Sequence, residues 1–159
     1  MKGIVIRDQF DDDDIKQIIE RHRVIYEEEY GFARSFGEYV ADSLTENVEH
    51  LWIAERNGKF VGCIGLVEPG ENTGQLRWFL VEPEARGSGV GKALMQKLLD
   101  RCKEKQYEGI FLWTVNKLPA ARSIYERFGF KLTEKKPEKL LWGQNVIEER
   151  WDLPIQSGR

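Results

Sequence analysis

The stretch from Leu76 to Cys102 constrains the fold of this chain more than any other part of its sequence. Leu76–Val81 is a run of apolar, aromatic and β-branched residues typical of a buried strand, and Pro83 cannot continue a strand ladder. After a glycine-rich turn, apolar residues recur at the spacing of an amphipathic helix, namely Val90, Leu94, Leu98 and Cys102, with Met95 and Leu99 beside them. The pattern predicts a strand that ends near Glu82 and a helix that begins close to Gly89.

The turn between them has glycine at every second position of Gly87-Ser88-Gly89-Val90-Gly91. The first N–H groups of a helix lack partners within the helix and lie at the positive end of its dipole. A glycine turn at that end lets main-chain donors surround a phosphate. The alternative is a loop that only needs positive φ. The neighbouring Arg86 and Lys92 favour the anion site.

Two common phosphate-binding motifs do not fit this turn. A P-loop would need glycine where Arg86 stands and a hydroxyl where Ala93 stands. A dinucleotide-binding fingerprint would need its third glycine at Lys92. The motif that fits is R-x-x-G-x-G.

This motif resembles the acyl-CoA-binding motif [QR]-x-x-G-x-[GA] of the GNAT acetyltransferase superfamily, which follows a strand ending in V-x-P, here Val81-Glu82-Pro83. A second family landmark, A-x-x-x-Y-x-x-x-G-F, is similar to the segment Ala121–Phe130. The resemblance covers roughly residues 50–153. The N-terminal part, with Arg21-His22, Tyr26 and Glu29-Tyr30-Gly31, resembles the acetyltransferase half of MarR/GNAT fusion proteins.

The resemblance implies a single α/β (α+β) domain over residues 1–159. Its mixed, mostly antiparallel sheet of about six or seven strands is flanked by about four helices. The Asn57-Gly58 dipeptide between two apolar runs predicts a hairpin, so that three sequential antiparallel strands end in Leu76–Val81. Ile110–Val115 follows the helix and is expected parallel to Leu76–Val81, with a V-shaped splay between the two strands at the glycine turn.

The remaining elements follow from local signals. A first strand is expected at Gly3–Arg7, a second helix at about Phe36–Thr45, and a helix that starts at Pro119 and stops at Gly129. The last two strands are Phe130–Glu134 and Asn145–Leu153, expected as a hairpin around the solvated Lys-rich loop Lys135–Lys139.

The resemblance makes acetyl-CoA the cofactor of this chain. The residues implied to hold it are Leu80, Val81, Arg86, Gly87, Ser88, Gly89, Val90, Gly91, Lys92, Asn116 and Ala121. The usual family spacing is N-x-x-A, whereas Asn116 precedes Ala121 by five positions, which leaves the Asn116 contact open. The oxyanion partner in the family is a main-chain N–H near Val81, where the two central strands diverge.

The acidic cluster Asp11–Asp14 is suited to cap a helix that extends from about Asp14 to Tyr30. The helical period places His22 and Glu29 within its apolar stripe. Each is therefore either a hydrogen-bonded structural group or part of a site. In the family this helical region forms one wall of the acceptor pocket, which implies substrate contacts by His22, Tyr26, Tyr30 and Glu29. Arg77 either pairs internally or binds an acceptor carboxylate.

The chemistry implied is transfer of an acetyl group from a thioester to an amine, by direct attack without an enzyme nucleophile. Tyr125 matches the family position of the general acid that protonates the departing thiolate; the alternative is a packed aromatic with a bonded hydroxyl. An alkyl ammonium must lose a proton before it attacks, and Glu29 is the candidate base. The sequence indicates an acetyl-CoA-dependent N-acetyltransferase for a small amine or amino-acid-like acceptor. The alternatives are an acyl-CoA-binding regulatory module and a protein lysine or N-terminal acetyltransferase.

Composition and charge argue against several classes of binding partner. A net charge of −3 and a pI near 5.6 argue against nucleic acid, and no apolar run is long enough to span a membrane. Cys63 and Cys102 form neither a disulfide framework nor a metal-binding spacing, so no metal is expected. With no apolar signal segment at the N-terminus, a cytoplasmic location is expected. Whether the chain forms a homodimer stays open.

Overall fold

A seven-stranded sheet forms the centre of the computed structural model, which describes residues 3–44, 48–70 and 72–155. The strands are β1 (Ile4–Arg7), β2 (Val48–Arg56), β3 (Lys59–Gly70), β4 (Thr73–Val81), β5 (Gly109–Val115), β6 (Lys131–Lys135), β7 (Lys139–Leu141), β8 (Gln144–Val146) and β9 (Glu148–Pro154). The helices are α1 (Asp12–Tyr30), α2 (Ser35–Ser43), α3 (Val90–Glu104) and α4 (Pro119–Arg127), with a 3-10 turn at Pro83–Ala85. The sheet order is β1-β2-β3-β4-β5-β9-β6, and β7 pairs with β8 in a separate hairpin.

The observed architecture confirms the expected mixed α/β fold with a mostly antiparallel sheet. Strands β1 to β4 run antiparallel to one another in sequence order. Asn57 and Gly58 join β2 to β3 with φ values of 53° and 78°, the two positive values that a type I′ hairpin turn requires.

The parallel strands β4 and β5 separate soon after they meet. Their paired residues run from Thr73 opposite Gly109 to Gln75 opposite Phe111. No further pair joins the two strands within the described ranges, so both diverge toward their C-terminal ends. The V-shaped splay expected from the sequence is confirmed.

Trp78 interrupts the regular alternation of β4. Its φ is 51°, and the register with β3 shifts between Cys63 and Gly65. Because of this bulge, Leu76 packs with the core on the α3 face, whereas Trp78 and Leu80 pack with the core on the face of α1 and α2. Gly65 makes the arrangement feasible, since a Cβ there would lie 2.3 Å from the Trp78 ring.

Two apolar clusters cover the two faces of the sheet. On one face, α3 buries the residues that its period predicted, Val90, Leu94, Met95, Leu98 and Cys102, all without exposed surface. On the other face, Ile18 and Ile25 of α1 pack with Val40 of α2. The helices therefore cover both faces of the sheet.

The helix ends form as local chemistry predicts. Asp11 caps α1 in a reciprocal capping box with Asp14, and Gly31 ends the helix with a φ of 70°. Pro119 stands in the first turn of α4, and Gly129 follows the helix with a φ of 93°. The predicted end of the second helix, Thr45, lies outside the described residues.

The C-terminal hairpin differs from the prediction. The segment expected as one strand, Asn145–Leu153, is divided at Ile147 into the end of β8 and the start of β9. Strand β9 does pair with β6, but it lies between β5 and β6, and the β7–β8 hairpin occupies the connection. The division has two causes: the Trp142-Gly143 turn has φ values of 50° and 80°, and Asn116 holds Ile147 through two hydrogen bonds, at 2.9 and 3.0 Å.

Across the part of the chain that the structure describes, none of the helices is both long and apolar enough to cross a membrane. Nor does any group of three or more His, Cys, Asp or Glu side chains lie close enough together there to hold a metal ion.

Candidate functional site

A cavity of about 710 Å³ opens where β4 and β5 diverge, with α1, α2, α4 and the glycine turn around it. Most of the residues singled out from the sequence line it: His22, Tyr26, Glu29, Tyr30, Arg77, Leu80, Val81, Arg86, Gly87, Gly89, Gly91, Lys92, Ala121 and Tyr125. Residues far apart in sequence therefore meet in one space.

Three predicted cofactor residues do not line this cavity. Val90 is completely buried in the core beneath the turn. The Ser88 hydroxyl donates to the Ala85 carbonyl oxygen within the turn. The Asn116 side chain accepts a hydrogen bond from the Ile147 N–H and so has a structural task.

The glycine turn presents an open helix start to the cavity. Gly87 and Gly89 have φ values of 80° and 91°, and no side chain caps the N-terminus of α3. A Cβ on Gly87 would meet nothing within 4 Å, whereas one on Gly91 would touch Val81 at 3.5 Å. Positive φ explains the glycines at 87 and 89, and the uncapped N–H groups would suit an anion, which stays a prediction.

Arg86 turns from the glycine turn toward α1. Its Nη1 and Nη2 atoms donate to the two carboxylate oxygens of Glu29, at 2.5 and 2.6 Å, and its Nε donates to the Val81 carbonyl oxygen at 3.3 Å. The hydrogen bond with Glu29 raises the pKa of Arg86 above its usual value. A predicted acceptor-side residue and a predicted cofactor-side residue are therefore bound to each other.

Tyr125 lies on the inward face of α4, with its ring 5.8 Å from the ring of Phe130 and 6.5 Å from that of Phe79. Burial raises the pKa of its hydroxyl above the usual value, so the proton stays on the oxygen. None of the described residues accepts a hydrogen bond from this hydroxyl, and Tyr125 lines the cavity. The assignment of Tyr125 as general acid stays a prediction, and its protonated hydroxyl in the cavity suits that role.

His22 is 3% exposed, and its Nδ1 lies 2.7 Å from the Ile18 carbonyl oxygen. Burial lowers the pKa of His22 to about 4, which leaves the imidazole neutral near pH 7. The His22 ring also stacks with the ring of Tyr26, and the two ring centroids are 6.0 Å apart. These contacts fit a structural group at the edge of the cavity.

An aromatic wall closes the side of the cavity that is expected to bind the acceptor. It consists of Tyr26, Tyr30, Phe32, Phe36, Tyr39 and Trp142, whose rings lie between 4.4 and 6.1 Å from their neighbours. The β7–β8 hairpin supplies Trp142 and is held by two hydrogen bonds, from Ala33 N–H to the Trp142 carbonyl oxygen and from Gln144 Nε2 to the Tyr30 carbonyl oxygen. Sequence reasoning missed Trp142, although Trp142-Gly143 is a recognisable turn signal.

Arg77 faces the same side. Its Nη2 donates to the Tyr39 hydroxyl at 3.1 Å, and its guanidinium lies 5.2 Å from the centre of the Trp78 ring. No carboxylate of the described residues forms an ion pair with Arg77. A positive charge without a protein counter-ion is thus available at this wall.

Glu148 also lines the cavity and was missed by sequence reasoning. It stands at the first position of β9, directly opposite Val115 of β5. No motif marks this residue, because its place beside the gap depends on how β9 inserts between β5 and β6.

The splayed sheet, the uncapped glycine turn and the buried tyrosine together define a GNAT-type acyltransferase architecture. Residues 14–130 match the family model described as "Acetyltransferase (GNAT) family", and the chain belongs to this family.

Known proteins agree with this assignment. The amino-acid acetyltransferase of Mycobacterium tuberculosis is 31% identical over 98 residues, which are 60% of this chain and 53% of that protein. The matched part of this chain spans about half the length of such curated relatives. A putative GNAT acetyltransferase from Desulfovibrio desulfuricans has the same fold, with a TM-score of 0.78 at 18% identity over 96% of this chain and 99% of that one. A putative acetyltransferase of Salmonella typhimurium, solved with its cofactor acetyl-CoA, has a TM-score of 0.74 at 15% identity over 99% and 96% of the two chains.

Proposed function

We propose that this chain is an acetyl-CoA-dependent N-acetyltransferase that acts on a small amine or amino-acid-like acceptor. The observation that supports this most is that one cavity joins an uncapped helix N-terminus, a buried protonated tyrosine and a wall with an uncompensated arginine. A phosphate-bearing acyl donor fits the first feature, and an acceptor with a carboxylate fits the last.

On the donor side, the main-chain N–H groups at Gly87, Gly89 and Gly91 would hold the pyrophosphate of CoA, with Lys92 nearby. The same cradle would use Ser88 and Val90 through their main chain, since their side chains are engaged elsewhere. Ala121 lies beside the path of the donor, whereas Asn116 is given no part because its side chain secures Ile147.

The acetyl thioester would supply an electrophilic carbonyl carbon. The divergence of β4 from β5 removes ladder partners beyond Gln75, so that a main-chain N–H near Val81 can stabilise the negative charge that develops on the carbonyl oxygen. The Tyr125 hydroxyl would donate its proton to the departing thiolate. Burial favours this role, because it keeps the hydroxyl protonated.

On the acceptor side, Arg77 would bind a carboxylate through charge-assisted hydrogen bonds. Tyr26 and Tyr30 would contact the acceptor through the aromatic wall, with His22 supporting Tyr26 from below. The name of the mycobacterial relative, an amino-acid acetyltransferase, agrees with a carboxylate-bearing acceptor.

Several finer assignments belong to the same proposal. The organisation of residues 1–159 as one domain and a cytoplasmic location are predictions from the sequence, which leaves a homodimer open. The likeness to MarR/GNAT fusion proteins is likewise a prediction from the sequence and would fit a regulatory module that binds acyl-CoA with weak or no catalysis. Tyr125 in a cavity favours the enzyme.

The test is CoA release from acetyl-CoA with proteinogenic amino acids, their decarboxylated amines, and peptides with free N-termini or lysines. We expect an amino acid to be the preferred acceptor. Arg77→Gln should raise KM for that amino acid by about tenfold or more, because a charged hydrogen bond is lost, and leave its decarboxylated amine unaffected. Preference for peptides would indicate a protein acetyltransferase. Tight CoA binding without release for any amine would indicate the regulatory module.

A further inference from the structure

Two carboxylates line the cavity among the described residues, Glu29 and Glu148. Both oxygens of Glu29 accept hydrogen bonds from Arg86, at 2.5 and 2.6 Å. Both oxygens are therefore already engaged by a protein donor, and Glu29 is poorly placed to bind the nitrogen of an acceptor.

Glu148 is in a different situation. Its Oε1 atom is buried and has no hydrogen-bond partner among the described residues. Lys139 on β7 forms an ion pair with this oxygen, with 3.4 Å between Nζ and Oε1, and the Lys139 side chain is 55% exposed. Buried carboxylate oxygens are normally hydrogen-bonded, since leaving one without a donor is costly. An N–H donor from a ligand would meet this requirement.

The topology directs Glu148 to the acceptor face. Antiparallel partners share a face of the sheet, and Glu148 lies opposite Val115, which packs in the cluster of α1 and α2. The acceptor wall lies on this same face, with Arg77 held by Tyr39 of α2. The cavity thus offers a cation and a carboxylate with an unsatisfied oxygen on the side where the acceptor would bind.

An alkyl ammonium, with a pKa of about 10.4, is almost fully protonated near pH 7 and cannot attack a thioester until it loses a proton. His22 also lines the cavity, and burial lowers its pKa to about 4, which makes it a poor acceptor of that proton. Of the two carboxylates that line the cavity among the described residues, Glu148 is the one with an oxygen that no hydrogen bond occupies.

We infer that Glu148 binds the ammonium group of the acceptor and accepts its first proton; this inference rests on the proposed function. One N–H bond breaks, and the proton moves to a Glu148 oxygen. The neutral amine then forms the C–N bond as the C–S bond breaks, and Tyr125 gives its proton to the thiolate. The second proton that the nitrogen loses restores Tyr125, and Glu148 releases the first to solvent, which balances the reaction.

The experiment compares two acceptors of similar shape that suit the aromatic wall. Phenethylamine is an ammonium ion at pH 7, whereas O-benzylhydroxylamine carries a neutral nitrogen. Glu148→Gln should lower kcat/KM for phenethylamine by about 10² or more, as expected for loss of a general base, and leave O-benzylhydroxylamine near the wild-type rate. The exposed Glu134→Gln on β6 is the matched control and should change neither rate. Glu148→Gln should be folded and should bind CoA as tightly as the wild type does.

Equal losses with both acceptors would overturn the inference, since they would indicate a distorted site. Full activity of Glu148→Gln with phenethylamine would also overturn it. The selective loss in Glu29→Gln instead would assign the proton transfer to Glu29. If the wild type acetylates neither compound, the comparison is repeated with the best amine from the acceptor panel and an analogue of it whose nitrogen is neutral at pH 7. A wild type that acetylates no amine would refute the proposed function itself, and this inference with it.

Discussion

Glu29 and Arg86 form a bidentate ion pair, at 2.5 and 2.6 Å, that joins helix α1 to the glycine turn. A second ion pair joins the same helix to the end of β4, because Nε and Nη2 of Arg21 each donate to a carboxylate oxygen of Glu82 at 2.7 Å. The wall of the acceptor side is thereby attached at two points to the segment that would hold the acyl donor. Arg86 cannot bind a phosphate with both nitrogens while Glu29 holds them.

The first prediction concerns this competition. In Glu29→Gln, Arg86 loses its carboxylate partner and becomes available to a phosphate, so CoA should bind up to about fivefold more tightly. Stability should fall by less than about 1 kcal/mol, because the pair is partly exposed. Calorimetry with CoA and denaturant unfolding measure the two effects. Glu27→Gln, on the outer face of α1, is the control. Weaker CoA binding would show that the ion pair organises the turn for the donor.

The second prediction concerns Gly89, which precedes α3 with a φ of 91°. Gly89→Asp adds strain and places a negative charge where the pyrophosphate would lie, so CoA affinity should fall severely. Gly89→Ala adds the strain without the charge, so its loss of CoA affinity should be smaller. Gly58→Asp provides a matched control, because Gly58 has a φ of 78° in a hairpin turn with nothing within 4 Å. Unchanged CoA affinity in a folded Gly89→Asp protein would place the donor site elsewhere.

Tyr125→Phe keeps the ring that packs near Phe130 but removes the proton donor. We expect normal folding, near-normal CoA affinity and a kcat lower by about tenfold or more. The loss should shrink with an acyl donor whose leaving thiol is more acidic, since that thiolate needs the proton less. Tyr107→Phe is the control, because its hydroxyl donates to Glu68 outside the cavity. Undiminished turnover by Tyr125→Phe would show that Tyr125 contributes only to packing.

His22 should make stability depend on pH. Its folded pKa of about 4 lies below its usual value of 6.5, so the unfolded chain binds more protons in between. The stability due to the neutral, buried ring is complete above pH 6.5 and is lost as the pH falls toward 4, by on the order of 3 kcal/mol. His22→Gln should flatten the unfolding free energy in this window relative to wild type. Parallel pH profiles for wild type and His22→Gln would contradict the assignment.

Local signals in the sequence were sufficient for the helix that follows the glycine turn, for the Asn57-Gly58 hairpin and for the caps at Asp11 and Pro119. Each of these depends on backbone preferences within a few residues, such as positive φ at glycine or a side chain that reaches its own helix start. The family landmarks added the order of strands around the splay. The prediction of the cofactor-side residues and of Tyr125 therefore needed no knowledge of packing.

Local sequence did not determine the acceptor side. The bulge at Trp78, which sends Trp78 and Leu80 to the face of α1 and α2, depends on the missing side chain at Gly65 on the neighbouring strand. Trp142 reaches the cavity because the β7–β8 hairpin binds to the end of α1.

Sequence by itself thus determined most of the elements, the glycine turn and the inward face of α3, because these follow from short-range periodicity and turn chemistry. Only the tertiary structure decided that Arg86 binds Glu29 and that Glu148 keeps an unsatisfied oxygen beside the gap. Arg86 and Glu29 are 57 positions apart, and which carboxylate is paired depends on how separate elements pack together.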